Sequence, residues 1–191
     1  LNEGNMGSNK ATLDYFDYET GIYHKNIYAE RNPGVVQELG DVGNDIQIYG
    51  NKLYAIINCS HFVEVMNVET AKHITQISIP NCRYIVFKDK YAYVSSYAGP
   101  VKIDPNARLG YVARVETTTL TVKDTCVVGY QPEEMVIVGN KLYVANSGGY
   151  RVPNYDRTVS VIDLNTFKVI KTIDVGINLH RMELDLSLIH I

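Results

Sequence analysis

The chain has 191 residues, 46% of them hydrophobic, which is enough for one domain with a sizeable core. Its formal net charge is −3 and it carries no basic run, so electrostatic binding to nucleic acid or to an anionic membrane surface is disfavoured. No stretch approaches the ~18 apolar residues of a transmembrane segment, and three dispersed cysteines (Cys59, Cys82, Cys126) suit neither a zinc site nor a dense disulfide framework.

In chain order, the first strand-like stretch is TLDYFDYET (12–20). NPGVVQELGDVG (32–43) follows, with Pro33 and three glycines, and reads as a loop holding at most one helical turn. YGNKLYAIIN (49–58) then leads into the alternating FVEVMNVET (62–70). KDKYAYVSS (88–96) and YVARVETTT (111–119) restate that pair, with Tyr93 under Tyr54. VGNKLYVANS (138–147) and TVSVIDLNT (158–166) state it again, with Tyr143 in the same place.

Each alternating strand ends in a polar residue followed three positions later by Thr. The four polar residues are Asp17, Asn67, Glu116 and Asp163, spaced 50, 49 and 47 apart. Short polar side chains there accept bonds from backbone N–H groups further on and close a turn, so a structural role is expected of them. A repeat of this length marks a solenoid, a propeller or an array.

The last full unit shows four strand signals: 133–138, 141–147 after the Gly139-Asn140 turn, 158–163 with Val159 and Val161 on one face, and 168–175. Four short strands per unit, without a helical stripe, is the pattern of propeller blades. The expectation is an all-β propeller of four-stranded antiparallel blades. About four blades of an expected seven are present within 1–182. Blade 1 is partial (1–41, with Leu1–Met6 as its second strand). Blade 2 spans 42–80, blade 3 spans 81–128, blade 4 spans 129–176, and 177–182 opens a fifth. Residues 183–191 break the pattern. Leu186–Ile191 match a translated transposon end used in sequencing-library preparation, so the tail is expected to be non-native, with a divergent natural C-terminus as the alternative.

Fifteen tyrosines against four phenylalanines and no tryptophan fit either half-buried strand edges or a tyrosine-lined binding face. A Cys59–Cys82 disulfide is one possibility, and buried thiols are the other. No nucleophile elbow, zinc-binding helix, phosphate loop or calcium loop is present, so neither a catalytic residue nor a metal site nor a cofactor is assigned. Asp45 and the pair Glu133–Glu134 are the carboxylates near the inner strands, too few for a converging catalytic ligand cluster.

The long connections SYAGPVKIDPNARLG (96–110) and SGGYRVPNYDRT (147–158) exceed the ~2–5 residues usual for a hairpin. Long loops on a rigid scaffold are where binding tends to sit. The first brings Tyr97, Lys102 and Arg108, and the second Tyr150, Arg151, Tyr155 and Arg157. Interblade segments on the same face add Arg83, Tyr130, Gln131 and His180. Tyr and Arg dominate binding hot spots, so these are the candidate ligand-binding residues.

The tract 128–176 resembles the repeat of YncE-like, surface-layer-type β-propellers, which are also similar to the lactonase-like propellers. LNEGN…ATLDYFDYET, LGDVGNDIQIYGNKLYAIINCSH and NCRYIVFKDKYAYV resemble the seven-bladed surface lipoproteins of gut anaerobes, some of which capture cobalamin for an outer-membrane transporter. The resemblance implies a non-enzymatic, extracytoplasmic binding protein at the outer-membrane surface or in the periplasm, with a corrinoid as ligand and such a transporter as partner. A protein- or glycan-binding propeller and a lactonase-like hydrolase are the alternatives.

Overall fold

The computed structural model describes residues 1–35 and 38–185. It contains three consecutive four-stranded antiparallel meanders, each with its strands in chain order. Ahead of them, β1 (Tyr15–Phe16) and β2 (Tyr23–His24) form a two-stranded sheet, followed by the single-turn α1 (Ile27–Arg31). The first full sheet holds β3 (Gly43–Tyr49), β4 (Lys52–Ile57), β5 (Phe62–Asn67) and β6 (His73–Ser78). The second holds β7 (Cys82–Lys88), β8 (Tyr91–Ser96), β9 (Tyr111–Glu116) and β10 (Thr121–Val127). The third holds β11 (Pro132–Val138), β12 (Lys141–Asn146), β13 (Thr158–Asp163) and β14 (Lys168–Asp174). These are blades of a partial β-propeller, and the innermost strands β3, β7 and β11 lie side by side.

Two turns recur because the sequence repeats. β3–β4 and β11–β12 turn on Gly50 (φ 60°) and Gly139 (φ 57°), left-handed positions where a residue without Cβ is unstrained. In the β7–β8 turn Asp89 takes that conformation (φ 52°), as Asp tolerates it. The second recurrent turn joins third and fourth strands. Asp163 Oδ1 accepts from the backbone N–H of Asn165 (3.0 Å) and Thr166 (2.9 Å), and Asp17 and Asn67 do the same two and three residues on. Glu116 differs: its longer side chain accepts from the Thr119 hydroxyl (3.0 Å) and pairs with Lys123 (2.8 Å). The four turns then close alike, through Gly21, Ala71, Leu120 and Phe167 in left-handed conformation, each N–H donating to the carbonyl four residues back.

The cores lie between blades. Alternate residues of β4 face opposite neighbours, Tyr54 and Ile56 packing on β7–β9 while Ala55 and Ile57 pack on Leu13, Tyr28 and Leu39. Leu142, Val144 and Ile162 pack in turn against Tyr93 and Val112. Central strands are therefore buried on both faces. Val159 and Val161 do share a face, yet Ser160 and Ile162 on the opposite face are buried as well. Many tyrosines serve this interblade packing: Tyr54 meets Phe87 and Tyr93 meets Phe167, both in the next blade (4.9 and 5.8 Å between ring centroids).

Two details differ from the sequence reading. The helical turn is α1, before the 32–43 segment, and it carries buried Tyr28 against Glu64. Leu1–Met6 makes one isolated bridge, Asn2 to Thr12, rather than a strand. Of the two readings of the cysteines, the thiols hold: Cys59, Cys82 and Cys126 are unpaired, with Cys82 Sγ donating to the Phe62 carbonyl (3.3 Å). Residues 183–185 have no regular secondary structure, and 186–191, the expected tail, lie outside the described residues. No helix among the described residues is long and apolar enough to cross a membrane.

Candidate functional site

Each innermost strand carries a one-residue bulge near its start, between Gly43 and Asp45, Cys82 and Ile85, and Pro132 and Met135. A bulge re-aims side chains. Here it presents Asn44, Arg83 and Glu133 in equivalent positions along the inner wall, and His180 continues the series. Neighbours in that series bond to one another. Asn44 Nδ2 donates to the Arg83 carbonyl (2.6 Å), Arg83 Nε donates to Glu133 Oε2 (3.0 Å), and His180 Nδ1 stands 3.6 Å from Glu133 Oε1.

Glu133 is the hub, with 0% exposure. Its Oε1 also receives the Tyr97 hydroxyl and Ser147 Oγ (3.3 Å). A buried carboxylate is costly unless its oxygens are paired and hydrogen-bonded, and both of these are. The Arg83 guanidinium lies 4.9 Å from the centre of the Tyr97 ring, adding a cation–π contact. Burial pushes the Tyr97 phenol far above its usual range, and Glu133 pushes it further. Burial is the largest effect on Arg83 and pulls it down, but the Glu133 charge and hydrogen bond together with Tyr97 and Tyr84 outweigh it, and the net shift is upward. Arg83 and Tyr97 thus spend their polar groups on Glu133, inside the protein.

Above this cluster sit the two long loops. Gln131, 2% exposed, opens blade 4 in a left-handed conformation (φ 48°), and its Oε1 accepts from Tyr150 N (2.7 Å). Arg151 stacks on Tyr130, 3.5 Å from the ring centre, and donates to the Pro105 carbonyl (3.2 Å), fastening one long loop to the other. Tyr150 meets Tyr97 edge-on (6.3 Å), and its carbonyl accepts from Asp104 N (2.8 Å). Two cavities open along the 96–110 loop. One, about 270 Å³, is bordered by Tyr97, Lys102, Arg108 and Gln131. The other, about 340 Å³, lies across Gly99-Pro100 and is bordered by Cys59, His61, Asn81 and again Arg108.

The sequence-predicted residues thus fall into three groups. Arg83, Tyr97 and His180 gather at Glu133; Gln131, Arg108 and Lys102 border a cavity; Tyr130, Tyr150 and Arg151 hold the loops together. Tyr155 is 39% exposed and borders neither cavity, and Arg157 pairs with Asp174 (2.8 Å). Sequence reading noted Glu133 only as a stray carboxylate. The available signal was a charge inside an otherwise apolar inner strand. Among the described residues no group of three or more His, Cys, Asp or Glu side chains is placed to hold a metal ion.

Residues 1–183 match the family described as a domain of unknown function, DUF5074. The chain belongs to that family. No curated protein matches it. Solved structures of similar fold include Kuenenia stuttgartiensis hydrazine synthase (17% identity, TM-score 0.66, 85% of this chain and 43% of that one). The dihydro-heme d1 dehydrogenase NirN in complex with DHE is similar at 9% identity and TM-score 0.62, over 90% of this chain and 34% of that one. BamB from Moraxella catarrhalis is similar at 11% identity and TM-score 0.56, over 74% and 37%. At these identities the likeness shows the propeller fold of this DUF5074 chain, which spans less than half the length of each.

Proposed function

We propose that this DUF5074 protein is a non-enzymatic ligand-binding propeller whose ligand sits on the face formed by the 96–110 and 147–158 loops. The observation that carries this reading is the pair of cavities along the 96–110 loop, whose base is locked through Tyr97 to a buried ion pair. A rigid wall reduces the ordering cost of binding. Glu133, the carboxylate at the centre of the cluster, has both oxygens occupied by Arg83, Tyr97 and Ser147, which suits a structural anchor better than an acid–base catalyst.

The specific ligand proposed is a corrinoid, on the resemblance to surface propellers of gut anaerobes, with an extracytoplasmic location and an outer-membrane transporter as partner on the same ground. The loop face offers the mixed aromatic and hydrogen-bonding groups that a large amphipathic ring with amide arms requires. Titration of the full chain with cyanocobalamin, followed by its visible absorbance, tests this. Saturable binding that weakens on Arg108→Ala is expected, and a linear, non-saturating response would remove the corrinoid. Turnover of a sugar lactone, lost in Glu134→Gln, would overturn the non-enzymatic reading.

A further inference from the structure

We propose that the cavity beside Gln131 is a subsite for an anionic group, a carboxylate or a phosphate, on whatever ligand the loop face takes; this rests on the binding reading above. Three observations converge. First, the donors bordering this cavity are unspent. Arg31, Arg83, Arg114 and Arg157 all pair with carboxylates, and Arg151 donates to two carbonyls. Among the described residues the Arg108 guanidinium and the Lys102 ammonium have no such partner, and both border the same cavity.

Second, a buried side chain presents its donor end there. Gln131 is 2% exposed, and the Tyr150 N–H fixes its carboxamide by occupying the oxygen. An N–H can bond only the oxygen of the carboxamide, so the assignment of O and N is settled by the partner. The NH2 end has no acceptor among the described residues and is not sealed from solvent, so it is free to donate to a guest in the cavity that Gln131 borders. Third, the acceptors at this cavity are used up or outnumbered. The Tyr97 hydroxyl is given to Glu133, and Asp104 Oδ1 accepts from Asn106 N (2.9 Å). Two cations and the Gln131 amide donor therefore face one half-spent carboxylate and the Asn106 carboxamide, which carries no charge. Arg matches the two oxygens of a carboxylate or phosphate in a planar fork, and Lys adds a point charge.

The Arg108 side chain is also well placed for this. It runs along Gly99, within 3.7–3.9 Å of where a Cβ would stand, and borders both cavities, so an anion held by it would sit at their junction.

The test uses the full chain, wild type against Arg108→Gln, Lys102→Gln and Gln131→Leu, each first checked for an unchanged melting transition. The probes are inorganic phosphate, acetate and benzoate, with a neutral benzamide control, read by tyrosine fluorescence and calorimetry. Saturable binding of phosphate or of the carboxylates is expected. It should weaken by about tenfold or more in Arg108→Gln, the loss of one charge-assisted contact. Preference for phosphate or for benzoate distinguishes the two sources of the anion. Absence of anion binding, or equal binding in Arg108→Gln, overturns the subsite. Cyanocobalamin titration of the same samples separates the two ideas. Corrinoid binding that ignores Arg108→Gln and added phosphate refutes the subsite and leaves the binding function. Anion binding without corrinoid binding does the reverse for the corrinoid.

Discussion

Arg83 and Glu133 stand fifty positions apart in the chain and one blade apart in space, and their side chains meet at 3.0 Å in the interior. The pair ties the innermost strand of one blade to that of the next, directly beneath the two long loops. Because Glu133 also takes the Tyr97 hydroxyl, the base of the 96–110 loop is fixed by a residue of the following blade.

Glu133→Ala leaves Arg83 buried without its counter-charge, and should destabilise the fold by about 3 kcal/mol or more, as breaking one side of a buried pair does. Urea unfolding measures this. The double variant Glu133→Ala with Arg83→Met should recover part of the loss, because it removes the stranded charge. A double variant as unstable as the sum of the singles would mean that the two residues do not act as a pair.

Leu142 is fully buried between the second and third full blades. Leu142→Ala should cost about 3 kcal/mol in equilibrium unfolding, through lost burial and the remaining cavity. Val138, three positions ahead of β12 and 44% exposed, serves as the control, and its replacement by Ala should change stability by less than about 0.5 kcal/mol.

The third-to-fourth-strand turns make a graded prediction. Asp163 and Asn67 each accept two backbone N–H bonds, whereas Glu116 accepts from the Thr119 hydroxyl and the Lys123 ammonium instead. Melting temperatures should fall further for Asp163→Ala and Asn67→Ala than for Glu116→Ala. Equal falls would show that the side-chain bonds to the backbone are not what closes the turn.

Alkaline pH should unfold the protein through its buried acids. Burial pushes the Cys82 thiol from 9.0 to about 12 and the Tyr54 phenol from 10.0 to about 12, and raises Tyr97 beyond both. These groups hold their protons more tightly when folded, so the stability they contribute is intact below pH 9 and declines as pH rises toward 12. Denaturant midpoints recorded from pH 7 to 11 should be level at first and then drop. At pH 8 the native Cys82 should resist a thiol reagent and react only on unfolding.

The blades were legible because their signals are local. Alternation in TVSVID, the Gly-Asn turn and the polar residue with Thr three later each act within a few positions, and the chain repeats them. The hub was not legible, because nothing near Glu133 in sequence names Arg83 or Tyr97. Their meeting depends on which blade lies next to which, and on a bulge that turns position 133 inward. The helical turn at Ile27–Arg31 was missed for another reason. At five residues it is too short for a periodic stripe, and its stability comes from burying Tyr28.

The residue that opens each blade is left-handed in all four units: Val42 (φ 59°), Asn81 (φ 43°), Gln131 (φ 48°) and Asn178 (φ 60°). The backbone there is the same while the side chain changes from aliphatic to short amide to long amide. Asn81 reaches its own loop at the Gly99 carbonyl (2.5 Å), and Gln131 reaches its loop at Tyr150 N. The repeat in effect sets different side chains on one backbone site within a single chain, and the scaffold accommodates each. Such a position is a natural dial for retuning what the face recognises, because turning it leaves the strands where they are.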